Sequence, residues 1–94
     1  MKIVIREAAA LDIETIFKWV SRDRPQAAAK LVGRIRTRIN RLAKSGLAHI
    51  GRPGLIKGTR ELIEGPYIII YAVDEAADQI TIVAVVHGAQ DRQA

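Results

Sequence analysis

The spacing of apolar residues along the first quarter of the chain predicts a strand and then a helix. Between Lys2 and Arg6, Ile3 and Ile5 lie on one side of the chain, which is the period-two pattern of a short strand. After Arg6 the apolar residues recur at the three- and four-residue intervals of an amphipathic helix. After Leu11, these helical positions are Ile13, Ile16, Phe17 and Val20. The pattern predicts a helix from about Ala8 to Arg22.

A second, longer amphipathic helix is predicted after Pro25. Asp23 offers a capping side chain, and a proline is tolerated in the first helical turn because its missing N–H would have no partner there. One apolar stripe follows: Ala28, Leu31, Val32, Ile35, Ile39, Leu42 and Ala43. Gly46 suits a left-handed C-cap. The link between the helices is so short that it predicts an antiparallel helical hairpin.

The second half of the chain has the pattern of a loop followed by three strands. Glycine and proline punctuate residues 47–58, which predicts a loop. Residues 59–64, 67–73 and 80–86 are predicted strands, separated by a Gly65-Pro66 turn and a turn over residues 74–79. The order β-α-α-β-β-β predicts an α+β fold in which the helical hairpin packs on a small, mainly antiparallel sheet. Residues 1–94 are expected to form a single domain.

Composition narrows the class of protein. With 49% hydrophobic and 27% charged residues, the chain resembles an ordinary globular domain. The longest apolar runs are far shorter than the ~20 residues that span a bilayer, so we expect a cytoplasmic protein with no membrane partner. There is no cysteine and there are only two histidines, so we expect neither a metal site nor a cofactor.

The distribution of charge is more informative than its total of +5. Ten basic residues and no Asp or Glu occur from Arg24 to Arg60. Such a segment would attract nucleic acid, a machine that carries nucleic acid, or an acidic protein, and charge alone does not choose between them. It could equally be a solvated helix face.

Four short motifs in the second half identify a resemblance. They are Gly51-Arg52-Pro53-Gly54, Gly58-Thr59-Arg60-Glu61-Leu62, Pro66-Tyr67-Ile68-Ile69-Ile70-Tyr71 and Val85-Val86-His87-Gly88. Together they resemble the RelE/ParE toxin family over about residues 50–92, whereas the first half is similar only in pattern. The resemblance implies the RelE/ParE-like fold and the toxin half of a type II toxin–antitoxin pair.

The resemblance also implies partners. One is a cognate antitoxin, usually encoded in a neighbouring reading frame, whose disordered C-terminal segment folds onto the toxin's helices and sheet, giving a toxin–antitoxin hetero-oligomer. The target differs between branches of the family. ParE-like members inhibit DNA gyrase, and RelE-like members cut mRNA on the ribosome. A plain nucleic-acid-binding module is a third hypothesis, but aromatic residues are only 4% of the chain.

The ribosome-dependent nuclease needs a proton shuttle and cations that hold the developing charge. Arg60 and Arg92 are the candidate cations, and His87 is the candidate proton shuttle because imidazole titrates near neutral pH. RelE-like nucleases commonly have a basic residue soon after the final strand and a tyrosine in the C-terminal tail. Here Gly88 is followed by Ala89 and Gln90, and there is no late tyrosine, so the set of nuclease residues is incomplete. The sequence therefore favours the ParE-like branch.

Partner-binding residues are predicted mainly on the basic segment and among the aromatic residues. Each has a structural alternative: His87 as a hydrogen-bonded residue at a strand end, Arg60 as a member of an ion pair, and the tyrosines and tryptophan as packing residues. The predicted partner-binding set is Trp19, Arg34, Arg38, Arg41, Arg52, Lys57, Tyr67 and Tyr71.

Overall fold

The computed structural model describes residues 1–91 and contains the predicted helical hairpin and sheet. The elements are β1 (Lys2–Ile5), α1 (Glu7–Ser21), α2 (Pro25–Arg41), β2 (Arg52–Pro53), β3 (Arg60–Glu64), β4 (Tyr67–Asp74), β5 (Gln79–His87) and α3 (Gly88–Asp91). The predicted α+β class and the order of the main elements are confirmed. The two-residue strand β2, which lies inside the predicted loop, and the short helix α3 were not predicted.

Five strands form one sheet in the order β1-β5-β4-β3-β2. β1 pairs with β5 in parallel, and every other neighbouring pair is antiparallel. The register between β4 and β5 shifts at Ile70 and Tyr71, which face Ala84 and Ile82. This bulge leaves Val83 without a partner in β4 and increases the local bend of the sheet.

The ends of α2 differ in detail from the prediction. The N-cap residue is Arg24, without a side-chain cap, so the expectation that Asp23 caps the helix is wrong, whereas Pro25 does lie in the first turn. After Arg41 the chain tightens into bonds between residues three apart, with Leu42 N–H donating to the Ile39 carbonyl at 3.1 Å. Gly46 has φ of +79° but lies in the following turn, so it is not the C-cap.

One core joins the helices to the sheet. It contains Ala9, Ile13, Ile16, Leu31, Ile35, Ile39, Leu42, Leu62, Tyr67, Ile69, Tyr71, Ile80, Ile82 and Val85. The predicted inner face of α2 is confirmed, but that of α1 is only partly right. Phe17 and Leu11 are exposed, because α1 is centred on Ala9, Ile13 and Ile16.

Burial along β4 extends to both of its faces. Tyr67, Ile69 and Tyr71 belong to the core under the helices, while Ile68 and Ile70 are buried on the opposite face. Glu61, which pairs with Ile70 across the β3–β4 ladder, is the only buried charged residue among residues 1–89, whose side chains the structure describes.

Candidate functional site

An open cleft lies between α1 and the ends of β4 and β5. Its volume is about 480 Å³, and it is lined by Asp12, Thr15, Ile16, Trp19, Val20, Tyr67, Val85 and His87. The lining combines an apolar floor with an acidic residue, a hydroxyl and an imidazole. Such a surface can accept an apolar side chain and hydrogen-bond the chain that carries it.

His87 lies at the end of β5 beside Tyr67. The two rings meet edge to face, with their centroids 5.4 Å apart at an interplanar angle of 86°. The Ala89 backbone N–H donates to His87 Nδ1 at 3.2 Å. This bond to the backbone of α3 engages Nδ1, one of the two ring nitrogens through which a general base could act.

Asp12 is a cleft residue that the sequence analysis did not identify. Its Oδ2 accepts the Val85 backbone N–H at 2.9 Å, which joins the middle of α1 to β5. The bulge in β5 lies two residues from Val85. The sequence gives no signal of this bond, because Asp12 looks like any polar residue on the outer side of an amphipathic helix. The bulge in β5 that positions the Val85 N–H is also not visible in the hydrophobic pattern.

Arg60 holds a loop rather than facing the cleft. Its Nη1 donates to the carbonyl oxygens of His49 at 3.1 Å and Gly51 at 2.7 Å. Among residues 1–89, whose side chains the structure describes, Arg60 forms no ion pair, and these two carbonyls bind its guanidinium. The structure therefore places Arg60 as a clamp on residues 49–51.

Two of the three candidate nuclease residues, Arg60 and His87, do not come together. Arg60 on β3 pairs with Tyr71, and His87 on β5 pairs with Tyr67, so β4 lies between them. Because a strand rises about 3.4 Å per residue, the two positions are about 14 Å apart along β4 alone. Arg92 lies outside the described residues. Within residues 1–91 the structure shows no shared phosphate-binding site of the expected kind.

Tyr71 is fully buried and supports the same loop as Arg60. Its hydroxyl oxygen accepts the Gly51 backbone N–H at 2.9 Å. Burial raises the pKa of the Tyr71 hydroxyl above its ordinary value of 10.0, and the hydrogen bond from Gly51 and the charge of Arg60 offset this only in part. The Tyr71 side chain packs inside the fold and has no exposed surface for a partner. Tyr67 is also buried, and it lies at the floor of the cleft.

Trp19 is the most accessible aromatic residue of the cleft. It is 66% exposed, and the Arg22 guanidinium lies 5.6 Å from its ring centroid. A cation above an exposed indole restricts the ring without covering its outer face. The structure thus places Trp19 at the rim of the cleft, where a bound chain would meet it.

The basic residues of α2 divide into two groups. Arg34 Nε and Arg38 Nε lie 3.4 and 3.8 Å from the Glu64 carboxylate, and Arg38 Nη2 also donates to the Ile63 carbonyl at 2.8 Å. These two arginines attach α2 to β3. Arg41 is exposed on the same side of the helix, together with Lys30.

The buried carboxylate of Glu61 fixes a second loop. Glu61 Oε1 accepts from Arg52 Nε at 3.3 Å and Nη2 at 3.2 Å, and Oε2 accepts the Leu55 backbone N–H at 3.2 Å. Arg52 therefore has a structural bond, although half of its side chain is exposed. Lys57 follows in the same loop and is exposed.

Leu55 and Ile56 were not singled out from the sequence. They are 76% and 57% exposed, which is unusual for adjacent large aliphatic residues. A signal was present, since an apolar pair between Gly54 and Gly58 interrupts an otherwise polar loop. It was hidden because short apolar runs in loops are commonly buried under neighbouring elements.

The described part of the chain contains neither a membrane-spanning helix nor a cluster of metal-binding side chains. No helix within residues 1–91 has both the length and the apolar character needed to cross a membrane. No three His, Cys, Asp or Glu side chains among the same residues are grouped to hold a metal ion.

Comparison with solved structures defines the class of fold. The chain is similar to a structure of the chromosomal ParDE TA system from P. aeruginosa, with a TM-score of 0.81 and 24% identity over 93% of this chain and 95% of that one. It is also similar to a chain of the toxin–antitoxin complex RelBE2 from Mycobacterium tuberculosis, with a TM-score of 0.63 and 19% identity over 92% and 88%. The predicted RelE/ParE-like fold is confirmed.

Sequence comparison gives the family. The family model described as the ParE toxin of type II toxin-antitoxin system, parDE, matches residues 3–92. A curated protein of Sinorhizobium fredii (strain NBRC 101917 / NGR234), named "Putative toxin Y4kP", is 39% identical over 72 residues, which cover 74% of this chain and 73% of that protein. The chain belongs to the ParE toxin family of type II toxin–antitoxin systems.

Proposed function

We propose that this toxin inhibits growth by binding DNA gyrase, without catalysing RNA cleavage, and that a cognate antitoxin neutralises it in the cytoplasm. The observation that carries the proposal is the match of the ParE family model to nearly the whole chain. The arrangement of Arg60 and His87 supports it, because the two residues lie on opposite sides of β4 and both have structural hydrogen bonds.

The cleft is the proposed antitoxin site. A disordered segment that folds on binding needs an extended surface with apolar recesses, and the cleft offers one between Trp19, Tyr67 and Val85. The exposed cations of α2 lie on the same helical hairpin and would attract acidic residues of the segment. Both features favour a segment that carries apolar and acidic side chains.

His87→Asn separates inhibition by binding from catalysis. Asparagine keeps an oxygen that can accept the Ala89 N–H, but it cannot shuttle a proton near neutral pH. We expect the purified variant to inhibit DNA supercoiling by gyrase at a concentration within about threefold of wild type. A general acid or base would instead contribute roughly 100- to 10,000-fold to a cleavage rate.

The control measurement is mRNA cleavage on purified ribosomes with both proteins, after thermal melts show that both are folded. Codon-positioned cuts by wild type that disappear in His87→Asn, without inhibition of gyrase, would establish the RelE-like nuclease and overturn the proposal. Supercoiling inhibition by both proteins, with intact mRNA, is the expected result.

A further inference from the structure

We infer that the loop of residues 54–59, here called the tip loop, is the surface by which the toxin contacts its target enzyme. This inference rests on the proposed function, because it names a contact to DNA gyrase. The tip loop connects β2 to β3 at the edge of the sheet opposite β1. It extends Leu55, Ile56 and Lys57 into solvent.

The exposed tip is held by bonds within the loop itself. The Gly54 N–H donates to the Thr59 carbonyl at 2.8 Å, and the Thr59 N–H and hydroxyl donate to the Ile56 carbonyl at 3.1 and 2.6 Å. A Cβ on Gly54 would collide with Thr59 Oγ1, so this close approach requires glycine. The loop is therefore a closed turn with a defined shape.

The base of the loop is fixed from the interior of the sheet. Glu61 is 3% exposed, and its carboxylate binds both the Leu55 N–H and the Arg52 guanidinium. Just before β2, Tyr71 and Arg60 bind the backbone of Gly51. A buried carboxylate is costly to desolvate unless it is fully bonded, so its use on a loop backbone indicates that the conformation of this loop matters.

Apolar side chains held outward in a fixed conformation are the usual form of a binding anchor. A flexible loop loses conformational entropy when a partner orders it, whereas a pre-organised loop does not. Large side chains that enter a partner's pocket commonly supply most of the binding free energy. Leu55 and Ile56 fit this role, and nothing else in the described structure covers them.

The shape and charge of the tip loop define its occupant. A rigid projection fits a recess that already exists on a folded protein, whereas a disordered antitoxin segment has no recess before it binds. Lys57 beside the apolar pair is exposed, and Arg52 on the other side is half exposed although it binds Glu61. The recess on the target is therefore apolar and bordered by carboxylates. Two copies of this loop would repel each other.

The decisive experiment compares the double variant Leu55→Ser/Ile56→Ser with the matched control Leu11→Ser. Leu11 is also an exposed aliphatic residue, but it lies on the outward side of α1. The readouts are the toxin concentration that half-inhibits supercoiling by purified bacterial DNA gyrase, the affinity for the product of the neighbouring antitoxin reading frame, and the thermal melt.

We expect the double variant to need at least tenfold more toxin for half-inhibition, with antitoxin affinity and melting temperature close to wild type. The control should inhibit like wild type. Equal inhibition by the double variant and wild type would overturn the inference and leave the proposed function intact. A selective loss of antitoxin affinity would assign the loop to the antitoxin and also overturn it. If the wild-type protein does not inhibit gyrase, the proposed function is wrong, and so is the inference that the tip loop contacts gyrase.

Discussion

At the scale of single residues, the family motifs of this chain act as supports for a loop. Arg60, Glu61 and Tyr71 come from the motifs that carry the family resemblance, and each binds the backbone between His49 and Leu55. The sequence analysis predicted Arg60 as a candidate cation that would stabilise the negative charge of a nuclease transition state. Its hydrogen bonds to two carbonyls show a different use, which only the three-dimensional register of β3 and β4 reveals.

Tyr71 makes the fold less stable at alkaline pH. Burial raises its folded-state pKa above 10.0, so above about pH 10 the unfolded chain releases a proton that the folded chain retains. The Tyr71 contribution to stability is complete below about pH 10 and decreases as pH rises through that window. The slope contributed by this one group approaches about 1.4 kcal/mol per pH unit.

Tyr71→Phe tests this linkage. The variant should be less stable at pH 8 by about 1 to 3 kcal/mol, because the buried Gly51 N–H loses its acceptor. Its stability should then fall less steeply than wild type above pH 10. Urea unfolding of both proteins from pH 8 to pH 11 measures the two slopes. Parallel curves would show that Tyr71 does not titrate at a higher pH in the folded chain.

At the scale of elements, hydrophobic spacing predicted the helices because their buried faces repeat with a fixed period, whereas β4 and β5 were predicted as short apolar runs bounded by turns. The apolar stripe of α2 is buried nearly as expected. The phase of α1 was harder to predict, since Ala9 is a small core residue that contributes little to a pattern of large side chains. The exposed Phe17 therefore shifted the predicted face toward solvent.

The region between α2 and β3 could not be predicted by periodicity. β2 has only two residues, and it pairs with Arg60 and Glu61 while side chains from β3 and β4 bind the neighbouring backbone. These are long-range bonds with no repeating pattern. For the same reason the geometry of the candidate nuclease site could not be predicted. The sequence shows Arg60 and His87, but it does not show that β4 lies between them.

Ile35→Ala and Phe17→Ala test the assignment of the helix faces. Ile35 is fully buried between the helices and the sheet, so truncation should lower the free energy of unfolding by about 2 to 4 kcal/mol. Phe17 lies outside the core cluster, and its truncation should cost less than about 1 kcal/mol. Chemical denaturation measures both values. A reversed order would contradict the observed phase of α1 and α2.

At the scale of the whole molecule, the width of the sheet separates the proposed antitoxin cleft from the proposed target-binding tip loop. The cleft lies beside β5, and the tip loop lies beyond β3 at the far edge of the sheet. Strands are about 4.8 Å apart, so three strand spacings separate β5 from β2 by about 14 Å. A disordered antitoxin segment and a folded target enzyme can therefore meet chemically different surfaces of one small domain.

The basic segment should make association with the antitoxin depend on salt. Its field attracts acidic residues over a distance that screening limits to about 8 Å at physiological ionic strength and to about 30 Å at 0.01 M. We expect stopped-flow association rates with the neighbouring reading frame's product to fall as salt is added from 0.01 to 0.5 M, while dissociation changes less.

Two charge variants locate the source of this attraction. Lys30→Gln/Arg41→Gln removes two exposed cations from α2, and Lys2→Gln/Arg6→Gln removes the same net charge from the region of β1. If the cations of α2 guide the antitoxin to the helical hairpin, the first variant should associate more slowly at low salt and show a shallower dependence on salt than the second. Because both variants lose two charges, an equal change in the two would indicate a general effect of net charge. Rates independent of salt in the wild type would remove the basic segment from the association step altogether.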